Sequence, residues 1–212
     1  MRRFVVTRAG ALAACLAAFP AAAKLKKPSP HQVMGYTYPV QKPADQDWDL
    51  TTGPGGAGRA KGDIVYFTGR VVDRNGKPIL GARIEIWQAN AAGRYTHPSD
   101  SDSKYPLDPN FDGYALQMTD DQGWFRFKTI KPGPYPGGKG WMRAPHIHVD
   151  ISGRESRLIT QVYLEGEALN KTDRFILATP RSNTLIAKSR KPEPGIEPGA
   201  QVFYWESVLS EY

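Results

Sequence analysis

Four histidines occur in this 212-residue chain, and two of them stand two apart in Pro145-His146-Ile147-His148-Val149-Asp150-Ile151. In an extended strand successive side chains point to opposite faces, so His146, His148 and Asp150 share one face while Ile147, Val149 and Ile151 share the other. The apolar face packs. The imidazole face can present two nitrogens to one point, which is half of a metal site; it can equally be a solvated polar face with an incidental pair. No acidic triad or cysteine pair stands nearby to complete a zinc site of the usual types. Tyrosine is the other candidate ligand: Tyr95 in Gly93-Arg94-Tyr95-Thr96-His97 and Tyr135 in Gly133-Pro134-Tyr135-Pro136, neither within an apolar alternation. A free phenol, with a pKa near ~10, stays protonated at neutral pH, but a trivalent iron would hold it as phenolate. Taken singly, each tyrosine is better explained as an amphipathic loop anchor.

The elements that must position these residues read as short strands. Runs suited to strands cover 64–72, 83–88, 114–118, 124–129, 146–152, 158–164 and 201–209, with turn residues between them. Asp73-Arg74-Asn75-Gly76 between the first two is a hairpin-type signal. The pattern predicts an all-β domain over 62–212, a β-sandwich of two packed sheets with long functional loops. One such loop, 90–113, is polar, lacks strand periodicity and carries Tyr95. Residues 24–61, rich in Pro, Lys, Gly and Gln with isolated aromatics at Tyr36, Tyr38 and Trp48, read as an extended N-terminal arm lying on the body or, in preference, on a neighbouring subunit.

Composition narrows the class. Gly and Pro together make 39 of 212 residues without a period, which suits a loop-rich β protein and excludes a collagen or a helical solenoid. The net charge of +7 is partly local: residues 1–23 hold Arg2, Arg3 and Arg8 and no acid, leaving 25 basic against 21 acidic residues, or +4. The rest is scattered, with no nucleic-acid motif, so nucleic acid is not an expected partner. Residues 1–23 read as an export signal: a basic start, an apolar stretch from Ala9 to Phe19 too short to span a bilayer, and Ala21-Ala22-Ala23 as cleavage site. Arg2-Arg3 is of twin-arginine type, and the expected destination is the periplasm; Leu12-Ala13-Ala14-Cys15 also fits a lipoprotein box, the less favoured form. Cys15 is the single cysteine, so the exported part has no disulfide.

Four segments together resemble the intradiol ring-cleavage dioxygenases, and within them the iron-binding chain of the protocatechuate 3,4-dioxygenase branch: GRVVDRNGKPILGARIEIWQANAAGRY (69–95), GWFRFKTIKPGPYP (123–136), RAPHIHVDI (143–151) and RLITQVYLEG (157–166). The opening of the first is shared by unrelated β-sandwich modules; Gly-Pro-Tyr-Pro followed by Arg-x-x-His-x-His is far more specific. The resemblance implies a mononuclear non-haem Fe(III) centre held by Tyr95, Tyr135, His146 and His148, with Tyr135 the ligand displaced by substrate and able to act as a base. It implies Arg143 as the residue that stabilises negative charge developing on the bound ring, and Gln161 as a supporting residue that helps bind substrate. The implied reaction inserts O2 between the two hydroxyl-bearing carbons of a small aromatic ortho-diol, giving a cis,cis-muconate-type dicarboxylate, and the implied state is an oligomer.

One departure concerns the pocket. The protocatechuate branch has a tryptophan two residues after the displaced tyrosine, where this chain has Gly137. Trp141, four residues on, is the candidate to fill that space and bind substrate. Two other readings compete. In one the chain is an exported, non-catalytic β-sandwich that binds carbohydrate or a protein partner through Trp87, Trp124, Trp141 and Trp205; in the other the site holds copper or zinc, which two tyrosines and no cysteine fit less well than hard iron(III).

Overall fold

The structure, a computed structural model, describes residues 24–211 apart from 45, 54–57 and 102. The expected export signal with Cys15, and most of the run Gly53-Pro54-Gly55-Gly56, lie outside the described residues. Among those described, no helix is long and apolar enough to cross a membrane.

The regular structure is mostly strand, joined by long loops. In order come β1 (Ile64–Val72), β2 (Arg83–Trp87), β3 (Tyr114–Met118), β4 (Trp124–Ile130), β5 (Tyr135–Gly138), β6 (Trp141–Arg143), β7 (His146–Ser152), β8 (Arg157–Leu164), a five-residue helix α1 (Arg174–Ala178), β9 (Ile186–Arg190) and β10 (Gln201–Val208). Eight strands form one ladder in the order β3-β2-β7-β8-β9-β10-β1-β4, and β5 and β6 form a separate hairpin. The two sheets expected from the sequence are therefore joined. The join is β9, which pairs in parallel with β8 through only two residue pairs, Tyr163 with Ile186 and Leu164 with Ala187, and antiparallel with β10 on its other side.

Both halves of the ladder turn an apolar face to a common core. Ile84 and Ile86 of β2, Ile147, Val149 and Ile151 of β7, Val65 and Phe67 of β1, Phe125 and Phe127 of β4 and Phe203 of β10 belong to one buried cluster. Each such side chain contributes roughly 1.5–3 kcal/mol by leaving water. The hairpin expected across Asn75-Gly76 does not form: β1 pairs with β10 and β4, whereas β2 pairs with β3 and β7. The turn itself is present, with Gly76 at φ +83° and the Asp73 carboxylate accepting from the backbone N–H of Asn75 and Lys77. It closes on the end of β1, where Ile79 N–H donates to Val71 C=O, and the chain then crosses to the other half. A local turn signal does not specify which half the next strand joins.

The arm, expected in preference on a neighbouring subunit, lies along its own body. Ser29 N–H donates to Val208 C=O, Gln32 N–H to Ile159 C=O and Leu50 N–H to Lys128 C=O. Farther along, Tyr38 donates to the Glu85 carboxylate at 2.5 Å and Lys42 at 3.1 Å, and Tyr114 and Arg83 complete the ring of donors. Burial opposes charge on Glu85, yet these donors outweigh it and hold its carboxyl below the ordinary carboxylate range. The arm and the 90–113 loop together roof the outer face of β3-β2-β7-β8.

Candidate metal centre

Strand alternation on β7 works as the sequence predicts, but both faces are buried: His146 is 1% and His148 2% exposed. The imidazoles therefore do not form a solvated polar face. His148 pairs across β2 with Trp87, whose indole stacks on its ring at 4.8 Å and 10°. The arm covers it from above at Gly35, which has φ +79° and where a Cβ would stand 3.3 Å from His148 Cε1. Glycine is required there by conformation as well as by close approach.

The two tyrosines arrive from opposite sides of this strand face. Tyr95 is carried by the 90–113 loop, which is held by Asn90 and by Asp100, whose carboxylate accepts from Tyr95 N–H at 2.8 Å. Tyr135 opens β5 and pairs in register with Arg143 of β6. Their side chains converge on the imidazoles: His148 Nε2 to Tyr95 Oη is 3.1 Å, Tyr95 Oη to Tyr135 Oη 3.4 Å, and Tyr135 Oη to His146 Nε2 3.1 Å. All four residues expected to ligate a metal thus meet at one point, with no carboxylate among them.

The electrostatics leave both imidazoles able to bind a metal. Burial, with the Arg143 charge behind it, lowers the pKa of His146 to about 3, and burial with His146 and Arg143 drives that of His148 well down. Both imidazoles are thus neutral, the form that binds metal. His146 Nδ1 lies 2.6 Å from Ala144 C=O, and a proton placed there directs the Nε2 lone pair into the cluster. Burial raises Tyr95 well above the ordinary phenol value and raises Tyr135 too. Without a cation both phenols keep their protons; a hard, highly charged ion at their oxygens would displace them. Among the described residues no group of three or more His, Cys, Asp or Glu side chains could hold a metal, so the phenol oxygens are essential to any ligand set here. The donor set is hard oxygen and neutral nitrogen, which fits trivalent iron.

Arg143, 5% exposed, stands behind Tyr135 with Nη1 3.4 Å from Tyr135 Oη. Its Nη2 donates to Gln161 Oε1, and Gln161 in turn donates from Nε2 to Val33 C=O of the arm at 3.0 Å. Two residues here have no expectation attached to them from the sequence. Asp173, fully buried, accepts from Arg143 Nε and from Ala144 N–H, both at 2.9 Å, through one carboxylate oxygen, and from Phe175 N–H at 2.8 Å through the other. Phe175 lays its ring 4.2 Å from the guanidinium carbon of Arg143. An Asp before a short apolar run is readable as a helix cap, but its contact with an arginine 30 residues earlier has no local sign.

Trp141 is not in the cluster. Its indole folds over Gly137, where a Cβ would lie 2.5 Å from the ring, and packs at 6.0 Å on Phe175. Of the other tryptophans a binding module would use, Trp87 and Trp205 are buried and Trp124 is 43% exposed. Tyr36 borders the cavity over the cluster, while Tyr38 is engaged with Glu85.

Residues 33–210 match the protein family described as "Dioxygenase". A protocatechuate 3,4-dioxygenase beta chain from Burkholderia cepacia is 45% identical over 141 residues, covering 64% of this chain and 59% of that relative. The chain thus spans less than two thirds of that relative's length. Among solved structures, 3-chlorocatechol 1,2-dioxygenase from Rhodococcus opacus 1CP is similar with a TM-score of 0.67 at 25% identity, covering 87% of this chain and 74% of that one. The dioxygenase domain of a dioxygenase carbohydrate-binding protein fusion from Streptomyces sp. SirexAA-E gives a TM-score of 0.65 at 26% identity, over 88% of this chain and all of that one.

Proposed function

The chain belongs to the intradiol ring-cleavage dioxygenase family, and from that premise we propose that it is an iron(III) enzyme opening small aromatic ortho-diols between their two hydroxyl-bearing carbons. The observation that carries this reading is the meeting of Tyr95, Tyr135, His146 and His148 through contacts of 3.1–3.4 Å in a buried pocket. O2 enters the product whole, both atoms ending in a cis,cis-muconate-type dicarboxylate.

Bound iron(III) would supply the Lewis acidity that holds the diol oxygens deprotonated and renders the electron-rich ring reactive toward O2. Tyr95, His146 and His148, all buried, would form the fixed part of the ligand set. Tyr135, half-buried on a short hairpin, would be the ligand that gives way to substrate, and its oxygen, within reach of Arg143 Nη1, would take a diol proton. Arg143 keeps its charge because Asp173 is paired with it, and its guanidinium, beside Tyr135 Oη, would stabilise negative charge growing on a bound ring. Gln161 and Phe175 fix the plane of that guanidinium.

A cavity of about 160 Å³ opens over the cluster, bordered by Tyr135, Arg143, His148 and Gln161. A hollow of about 150 Å³ accepts a benzene ring, so this volume suits a single-ring substrate. The N-terminal segment supports an exported, periplasmic enzyme, and the likeness to a protein named as a beta chain supports an assembly of more than one subunit.

The test is the visible spectrum of the chain from residue 24 onward, loaded with iron(III), before and after catechol is added without oxygen. A red-brown phenolate-to-iron band that shifts with catechol, followed by O2 uptake and a dicarboxylate product on aeration, is the expected result. Iron-replete protein that stays colourless and takes up no O2 refutes the proposal.

A further inference from the structure

The cavity over the cluster does not stand alone. A second hollow, about 560 Å³, lies outside it, bounded by Gln32, Trp141, Arg174 and Thr179 among others. Phe175 and Val33 border both. Val33 belongs to the arm, where Gln161 holds its backbone carbonyl and its side chain is 55% exposed. Phe175 is the side chain set between them, fixed from three directions: by Arg143 at 4.2 Å, by Trp141 at 6.0 Å and by its own N–H on Asp173.

The two volumes differ in what they admit. The inner one accommodates a single ring, whereas the outer one has space for a further ring or a branched alkyl group beside the apolar face of Trp141. We infer that Phe175 is a specificity-determining residue: its ring partitions the two hollows and confines substrates to ortho-diols with small ring substituents, and shortening it joins the hollows so that bulky 4-substituted catechols are accepted. This inference rests on the ring-cleavage reading above. Phe175 also stacks on Arg143, so its loss lowers the rate for every substrate; a ratio between substrates removes that common factor.

The experiment compares the iron-loaded wild type with Phe175→Ala and Phe175→Leu. kcat/KM is measured for catechol, 4-methylcatechol, 4-tert-butylcatechol and 4-phenylcatechol, and dissociation constants for the same series are measured by calorimetry without O2. In the wild type both quantities should worsen steeply with substituent size. In Phe175→Ala the preference for catechol over 4-phenylcatechol should fall by at least about tenfold in both, with Phe175→Leu between, the scale expected for reshaping an apolar pocket by several carbons. If the alanine variant fails to fold, the leucine variant decides, with a smaller shift in the same direction. A wild type that takes 4-phenylcatechol as well as catechol, or variants that bind the series with unchanged ratios, overturn the inference alone. A wild type that binds no catechol overturns the ring-cleavage reading and this inference with it.

Discussion

The outward faces of the two halves of the ladder are built by the same strand alternation and end in opposite conditions. On β3-β2-β7-β8 the arm and the 90–113 loop lie over the face, and Glu85, His146, His148, Asp150 and Gln161 are all buried. On β4-β1-β10-β9 Trp124 stays 43% exposed, tilted against Tyr204 at 5.8 Å, while Arg126 rests on Trp48 and Tyr66 and Arg190 on Tyr204. That open face borders a groove of about 1020 Å³, several times the hollow above the cluster. The larger space carries the weaker chemistry. Its cations sit on aromatic rings beside solvent, where charge is screened; under the roof, imidazoles become neutral and every carboxylate has to be paired. Glu85 and Asp150 stand directly across from each other on β2 and β7, and each has its own cations, Arg83 and Lys42 for one and Arg157 for the other. Removal of solvent, rather than volume, is what turns a strand face into a reactive site.

Substitutions on the two faces sharpen that contrast. The largest effect belongs to His148→Ala, which removes one of the four proposed donors: on the iron(III) reading, bound iron should be lost and O2 uptake should fall by about a thousandfold or more, because several kcal/mol of charge stabilisation would leave with the ion. Metal analysis and oxygen-electrode rates check both. Arg143→Ala should retain iron and its colour but lower kcat by about 10²–10³, the usual loss for a donor aimed at developing charge; equal losses of iron and rate would instead make Arg143 a support of the metal.

Next comes Glu85→Gln, which disarms the anchor of the arm. It should destabilise the fold by about 1–3 kcal/mol, read from urea unfolding, because buried donors lose a charged acceptor. The carboxyl of Glu85 is held below its ordinary value, so its stabilisation is complete above the ordinary carboxylate range and is lost as pH falls through the lower folded value. Limited proteolysis should therefore cut the arm of the wild type only in acid, and that of Glu85→Gln already at neutral pH. The smallest effect is Trp124→Ala on the open face: stability within about 0.5 kcal/mol and an unchanged kcat/KM. A large loss of activity there would break the contrast between covered and open faces.

Much of this arrangement was readable beforehand, for reasons that differ by element. β1, β3 and β7 appear with the bounds their residues suggest, β7 with a clean polar and apolar alternation, and the residues proposed as ligands sit in motifs whose chemistry is local. β5 and β6 carry little strand signal, because Tyr-Pro-Gly-Gly and Trp-Met-Arg are short and broken by Pro and Gly, and their pairing sets Tyr135 opposite Arg143. β9, Ile-Ala-Lys-Ser-Arg, is mostly exposed and reads as loop, yet it joins the two halves. Asp173 and Phe175 act on Arg143 through contacts made only after β8 and α1 are in place, and no spacing along the chain reports them. The roof itself was half legible: the arm's extended character is written in its prolines, while its seat on Glu85 depends on β2 and β3 already lying side by side.

β10 is the last strand of the ladder in chain order, yet it sits inside it, flanked by β9 and by β1. Its parallel pairing with β1 links residues more than 130 positions apart, Val65 with Gln201 through Val72 with Val208. As the chain emerges from the ribosome, β1 can pair with β4 but keeps its other edge open until 201–208 arrive, and β9 waits with it. Such long-range closure places folding on the slow, millisecond-to-second side for β proteins, and an open edge of that length is a template for association with other chains. The order of synthesis thus leaves the central seam of the sheet to be closed last, and the unfinished chain is the form most in need of protection from aggregation.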